Sequence, residues 1–257
     1  MSAPCFGPHP KRRKGRVKAL AAGVLQAHVS PEEKKKEKPM QLDVVSDTVC
    51  PWCYIGKRKL DAALAERVSL GKSLDLIEIK WRPYQLDPSI PAGGYDRRAY
   101  MEKKFGPDRA RSIGNNIREM GETLGINFNF EKIQRSPNTL DSHRLIRWAG
   151  TAGVQNLMVE ILFRRYFTDG EDIGNLEVLV DAARETGMDH DIVRELLGTD
   201  ADLELVRKEE EVAREMGISG VPSFIINTEY MLVGAQESAL FLRMFDRLAV
   251  PQAEAQA

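Results

Sequence analysis

The chain has 257 residues, 42% of them hydrophobic, and only three cysteines. That is enough apolar material for a sizeable core and too little cysteine for a disulfide scaffold, while the apolar runs fall short of the roughly 18 residues a membrane crossing needs. The formal net charge of −1 hides an asymmetry: residues 1–39 hold ten Lys/Arg against three Asp/Glu, the remainder 27 against 35, and so acidic a body argues against nucleic acid as the main partner.

Residues 1–39 carry Lys11, Arg12, Arg13, Lys14, Arg16 and Lys18, then Lys34, Lys35 and Lys36. Such composition predicts a disordered basic extension. The apolar stretch at 19–25 is short and interrupted for a leader, and a weak cleavage site follows it. A cytoplasmic location is therefore expected, and no catalytic part is expected for this segment, Cys5 included.

The run 41–45 is short and β-prone, as a strand should be. Cys50-Pro51-Trp52-Cys53 follows, and after it Leu60, Ala62, Ala63, Leu64 and Ala65 favour a helix. The two thiols thus fall where a strand ends and a helix begins. Pro51 suits the first helical position, where its missing N–H costs nothing. Unpaired N–H groups and the positive end of the helix dipole favour a thiolate at Cys50. Cys53 lies about one turn further on, placed to resolve a mixed disulfide.

Two plainer readings compete. A zinc site needs four ligands, but Cys5, His9, His28, His143 and His190 are scattered, so no metal is expected. A structural disulfide across so short a span would remove almost no loop entropy. Redox chemistry is the stronger reading.

The first helix is expected to end near Val68, before Gly71. Residues 74–81 alternate apolar and charged and read as a second strand, parallel to the first in a βαβ unit. A Pro/Gly-rich loop occupies 82–94, with Trp81, Tyr84 and Leu86 as core or loop anchors. Helical patterns follow at 100–105, 108–124, 139–150, 154–167, 175–186 and 189–197, with 126–135 irregular. His143 reads as a structural side chain hydrogen-bonded in a core, and His190 as a solvated residue at a helix start. A charged helix at 201–216, a strand at 221–226, a hairpin partner at 230–233 and a last helix to about 248 complete the pattern. The expected organisation is a thioredoxin-like part at 40–97 and 201–250, a helical insertion at 98–200, and a disordered tail at 251–257.

Pro222 opens the strand at 221–226. Only about 5–6% of X–Pro bonds in folded proteins are cis, yet Gly220-Val221-Pro222 before a hydrophobic strand, downstream of a Cys pair, points to a cis-proline loop. Such a loop beside the thiols would offer the Val221 backbone to an extended substrate.

Assembled, this order resembles the thioredoxin fold in its DsbA-like version, and within it the FrnE-like branch of the DsbA-family oxidoreductases. The resemblance spans 41–248. It rests on Ser46-Asp47 before CPWCYIGKR, WRPYQLDP at 81–88, KKFG at 103–106, Asn138-Thr139 with His143-Arg144-Leu145, YF at 166–167, GISGVPSF at 217–224 and GAQ at 234–236. It implies Cys50 as nucleophile, Cys53 as resolving thiol and Pro222 as the cis-proline, with Pro51, Trp52, Gly220 and Val221 against the substrate. Kappa-class glutathione transferases and 2-hydroxychromene-2-carboxylate isomerases share the architecture. They have Ser in place of Cys50 and an Asp-Arg pair where Gln236-Glu237 stands here. The acid that the family holds six residues before the first Cys is Val44 here, and Asp47 reads as a turn residue.

The function expected is a thiol–disulfide oxidoreductase on protein or small-molecule thiols and disulfides. No bound cofactor is expected beyond the redox-active pair, with glutathione a possible co-substrate. The alternatives are a glutathione-dependent isomerase or transferase of aromatic or polyketide-like molecules, and a non-enzymatic peptide-binding, chaperone-like module.

Overall fold

The computed structural model describes residues 39–249; the expectations for the basic extension, Cys5 and the tail concern residues outside that range. The fold is organised by β1 (Met40–Ser46), which lies inside a four-stranded sheet between β2 (Ile77–Pro83) and β5 (Ser223–Ile226), with β6 (Tyr230–Val233) at the far edge. β1 is parallel to β2 and antiparallel to β5. An interior strand buries both faces, so it reads as an almost continuous apolar run rather than an alternation. Leu42, Val44 and Val45 are all buried. Asp43 interrupts them, and its charge is met by Arg82 on β2 at 2.6 Å.

Helix α1 (Pro51–Ser69) crosses from β1 to β2 and ends at Gly71, whose φ of 75° suits a residue without Cβ. β2 begins three residues later than the alternation predicts. Leu74 to Leu76 are used in a turn in which Leu74 accepts from the Ile77 N–H. The strand also runs on through Pro83, a position at its end where the lost donor is tolerated.

Between β2 and the closing elements lies a helical insertion. It comprises α2 (Arg97–Phe105), α3 (Pro107–Thr123), α4 (Leu140–Thr151), α5 (Gln155–Arg164), α6 (Leu176–Glu185) and α7 (His190–Leu197). The segment 126–135 is irregular up to its last residue, where a short strand, β4 (Arg135–Ser136), begins and pairs with β3 (Tyr95–Asp96). The single helix expected at 154–167 is interrupted: after α5 the chain makes a π-helical turn, Arg165–Asp169. Within this turn Tyr166 and Phe167 are both buried. Helices α8 (Leu203–Glu215) and α9 (Ser238–Ala249) return to the sheet.

The insertion and the sheet share one hydrophobic core. Tyr54 of α1 stacks on Phe163 of α5 with centroids 5.0 Å apart and meets Phe128 edge-on at 5.9 Å. Its hydroxyl donates to Glu160 at 3.1 Å, and burial with that carboxylate pushes its pKa up to about 12. A smaller core, Val45, Tyr84, Ala213, Ile218 and Ile225, includes residues of β1, α8 and β5. Arg144, fully buried on α4, donates to the carbonyls of Leu196, Thr199 and Ala201, each at 2.7 Å. It thereby satisfies acceptors freed where α7 ends.

Candidate functional site

Cys50 is the N-cap of α1 and Pro51 takes the first helical position. The Cys50 N–H donates to the Asp47 carbonyl at 3.0 Å, closing the turn that follows β1. The Cys50 thiol faces the Val221 carbonyl at 3.6 Å, and the Val221–Pro222 peptide bond is cis. Gly56, one turn into α1, lies against the proline: a Cβ there would stand 3.0 Å from the Pro222 Cγ. The missing side chain is what lets the loop approach the thiols.

The two sulfurs have unlike surroundings. Cys50, 3% exposed, forms part of the wall of an open cleft. Cys53 has no exposed surface. Burial pushes its thiol well above the usual range, and the neighbouring Cys50 adds to the effect; the Ser46 hydroxyl and the Asp47 main chain act the other way. Both are free thiols in this structure. Trp52, 39% exposed, stands at the rim, and Gly220 and Val221 form part of the same wall.

The cleft measures about 730 Å³. Across from the thiols its wall is built from the insertion, with Met101 and Phe105 of α2, Ile113 and Ile117 of α3, and Phe130. Polar groups break this apolar lining. Tyr100 donates to Asp87 at 2.9 Å. Arg97 donates to the Tyr166 hydroxyl at 2.9 Å, which itself donates to the Arg135 carbonyl at 3.2 Å. Among the described residues no group of three or more His, Cys, Asp or Glu is placed to hold a metal ion, and no helix is long and apolar enough to cross a membrane.

Comparison with known proteins bears on this geometry. A model of the DSBA-like thioredoxin domain matches residues 41–245. The chain belongs to the DSBA-like thioredoxin family. A probable DsbA oxidoreductase from Streptomyces coelicolor superposes with a TM-score of 0.72 at 27% identity, over 81% of this chain and 89% of that one. The cytosolic disulfide reductase DsbM from Pseudomonas aeruginosa shares the fold at 18% identity and a TM-score of 0.55, over 81% and 95% of the two chains. A 2-hydroxychromene-2-carboxylate isomerase does so at 14% identity and 0.61, over 84% and 100%. In sequence the chain is 26% identical over 203 residues to the uncharacterized protein YwbO of Bacillus subtilis (strain 168), covering 79% of this chain and 94% of that protein.

Within this DSBA-like fold, Cys50, Pro51, Trp52, Cys53, Gly220, Val221 and Pro222 come together at one end of the sheet, although 171 positions separate Cys50 from Val221. Two residues differ from their expected roles. Asp47 does form the turn, but its carboxylate is buried in the cleft wall and accepts from the Leu86 N–H at 2.7 Å. His143 is buried as expected, yet its Nε2 has no hydrogen-bond partner; it lies 3.6 Å from the Asp47 Oδ1. Glu237, at the position of the relatives' Asp-Arg pair, is bound in an ion pair with Lys59. Sequence reasoning gave no place in the site to Arg97, Tyr100, Ser136 or Tyr166. They come from three separate elements, α2, β4 and the π-helical turn, and no spacing in the chain announces that they face one cleft.

Proposed function

We propose that this member of the DSBA-like family is a thiol–disulfide oxidoreductase whose reacting groups are Cys50 and Cys53. One observation carries the reading: Cys50 caps a helix N-terminus in the wall of an open cleft while Cys53 is enclosed behind it. Cys50 is the sulfur at the position a substrate reaches, so it is the one that attacks. The enclosed thiol meets only what is already bonded to Cys50, which is what a resolving group requires. Attack by Cys50 on a substrate disulfide forms a mixed disulfide and releases one thiolate. Attack by Cys53 then closes the Cys50–Cys53 bridge and releases the second. Run backwards, the same steps oxidise a dithiol. Pro222 shapes the loop, and Pro51, Trp52, Gly220 and Val221 form the surface against which the substrate lies.

The reduction potential should fall between roughly −270 and −120 mV, the thioredoxin and DsbA values. A cytoplasmic location belongs to the same proposal, with protein or small-molecule thiols and disulfides as substrates; cell fractionation with an antibody tests the location. The decisive experiment is trapping. Cys53→Ser should accumulate mixed disulfides that dithiothreitol releases, and Cys50→Ser should accumulate none. Full turnover by Cys50→Ser would overturn the proposal.

A second reading draws on the size of the cleft. A volume of about 730 Å³ with a mainly apolar far wall suits a small-molecule substrate. Glutathione-dependent isomerisation or transfer on such a molecule predicts saturable glutathione binding that persists in the Cys50→Ser, Cys53→Ser double variant. Binding lost with the thiols would leave glutathione as a redox co-substrate only.

A further inference from the structure

The cleft beside the thiols holds one cation that the protein does not neutralise. Arg97, half-buried at the start of α2, lines the wall across from Cys50. In the insertion Arg98, Arg118, Arg147, Arg164 and Arg165 each pair with a carboxylate. Among the described residues no carboxylate pairs with Arg97. Its Nη1 donates to the Tyr166 hydroxyl, and among the same residues its Nε and Nη2 donate to nothing.

The guanidinium is nevertheless held in place. The Arg97 main-chain N–H donates to the Gln134 carbonyl at 3.0 Å. The guanidinium carbon stands 5.8 Å from the centre of the Phe130 ring and 5.7 Å from that of Tyr166, distances at which a ring face attracts a cation. Tyr166 itself has no exposed surface. An arginine that only braced this tyrosine would need one nitrogen, and two remain. A second polar group of the same wall is also unmatched. The Ser136 hydroxyl is buried without a partner, the kind of deficit that a ligand or a water completes.

The acids of the cleft do not take up the open side of Arg97, because each already accepts from another donor. Asp47 accepts from the Leu86 N–H, Asp87 from Tyr100 and Ser89, Asp96 from the Ala99 N–H, and Glu131 from Arg118. The other cations of the lining are exposed and engaged, Arg98 with Glu102 and Lys104 with the Tyr100 hydroxyl. The far wall is otherwise mainly apolar, with Met101, Ile113, Ile117 and Phe130. A cleft of this kind takes a small molecule whose few polar groups fix its orientation. A planar guanidinium with two open nitrogens matches a carboxylate, which it can hold through two parallel bonds.

We propose that Arg97 seats a carboxylate, and that the thiols act on small disulfides in which an apolar body carries such a group; the proposal rests on the thiol–disulfide reading above. With the carboxylate on Arg97 and the apolar body on the far wall, the sulfurs of the substrate face Cys50. The Cys50 thiolate attacks one of them and the other leaves as a thiolate. Cys53 then displaces the first from Cys50, and the Cys50–Cys53 bond forms. Two electrons pass from the two cysteines to the substrate, and the two thiol protons go to the two products through water. Arg97 is a binding residue that selects the disulfide and takes no part in the electron transfer.

The test mixes the full chain, reduced, with an excess of one of two aromatic disulfides in a stopped-flow instrument. 5,5′-Dithiobis(2-nitrobenzoate) carries a carboxylate on each ring and 4,4′-dithiodipyridine carries none; both report the reaction by colour. Arg97→Gln should lower the ratio of the first rate to the second by roughly 10- to 100-fold, the scale of lost hydrogen bonds to a charged group. Arg97→Lys keeps the charge and loses the planar fork, and should recover only part of that ratio. Arg98→Gln removes the same charge from an exposed position on the same helix and should move the ratio by less than about 2-fold. An unmoved ratio in Arg97→Gln overturns the proposal. An equal fall in Arg98→Gln overturns it too, since attraction at a distance would then suffice. If Arg97→Gln does not fold, the unaltered protein decides: 4-phenylbutyrate should protect Cys50 from iodoacetamide and 4-phenylbutyramide should not. Protection by both alike, or by neither, overturns the seat for a carboxylate. If neither disulfide leaves a Cys50–Cys53 bridge in the unaltered protein, the oxidoreductase reading is overturned instead.

Discussion

The two walls of the thiol cleft are built on different principles. The near wall is held by close backbone approach: Cys50 is the N-cap of α1, the cis Val221–Pro222 loop faces it, and a Cβ at Gly56 would stand only 3.0 Å from the proline ring. The far wall is held by side-chain bonds such as Tyr100 to Asp87 and Arg97 to Tyr166. Its helix α2 buries no residue, and Tyr95 and Phe105 are exposed. Segments with few buried contacts open at low free-energy cost. The molecule thus keeps the reacting groups in a rigid part and leaves the shape of the cleft to a part that can yield.

That contrast can be broken in several ways. The largest effect belongs to Cys50→Ser, which should abolish reduction of a model disulfide while leaving the unfolding midpoint in place. Residual turnover would show that the near wall does not carry the chemistry. Tyr54→Ala removes the aromatic clamp that ties α1 to α5 and should cost about 3–5 kcal/mol of stability, read from urea unfolding; Tyr54→Phe, which keeps the ring, should cost only about 0.5–1.5 kcal/mol. Gly56→Val drives a branched side chain into Pro222 and Phe224 and should cost about 1–3 kcal/mol as an overpacked core does. Cys50 alkylation should change with it, because the loop over the sulfur must shift. Smallest is Tyr100→Phe on the far wall. Losing its bond to Asp87 should raise hydrogen exchange in α2, with global stability lowered by no more than about 0.5–1.5 kcal/mol and Cys50 alkylation unchanged. If Tyr100→Phe unfolds the chain as readily as Gly56→Val, the two walls are one cooperative unit and the contrast fails.

Much of the near wall was legible because its signals are local. A Cys-x-x-Cys with Pro at the first helical position marks a strand-to-helix junction by itself, and Gly-Val-Pro before an apolar strand marks the loop. The β6 strand, Tyr230–Val233, has the bounds expected of the hairpin partner that follows the turn at 227–229. The far wall was not legible. Its polar residues lie on α2, on β4 and in a π-helical turn, and that turn is invisible to a search for a 3.6-residue period. The shift of β2 to Ile77–Pro83 escaped for a similar reason: strand pairing with β1 selected the register, and pairing is a tertiary event. His143 and Asp47 were each visible, but nothing in their spacing says that 96 positions close to 3.6 Å.

The sequence by itself determined the DSBA-like order of elements and the placing of two thiols at a helix start, because helix caps, proline positions and apolar periods act over a few residues. Only the tertiary structure decided which sulfur is enclosed, what lines the cleft and which buried acid meets which histidine. Those depend on distant segments excluding water from the same small volume, and burial belongs to the packed chain, never to a local stretch of it.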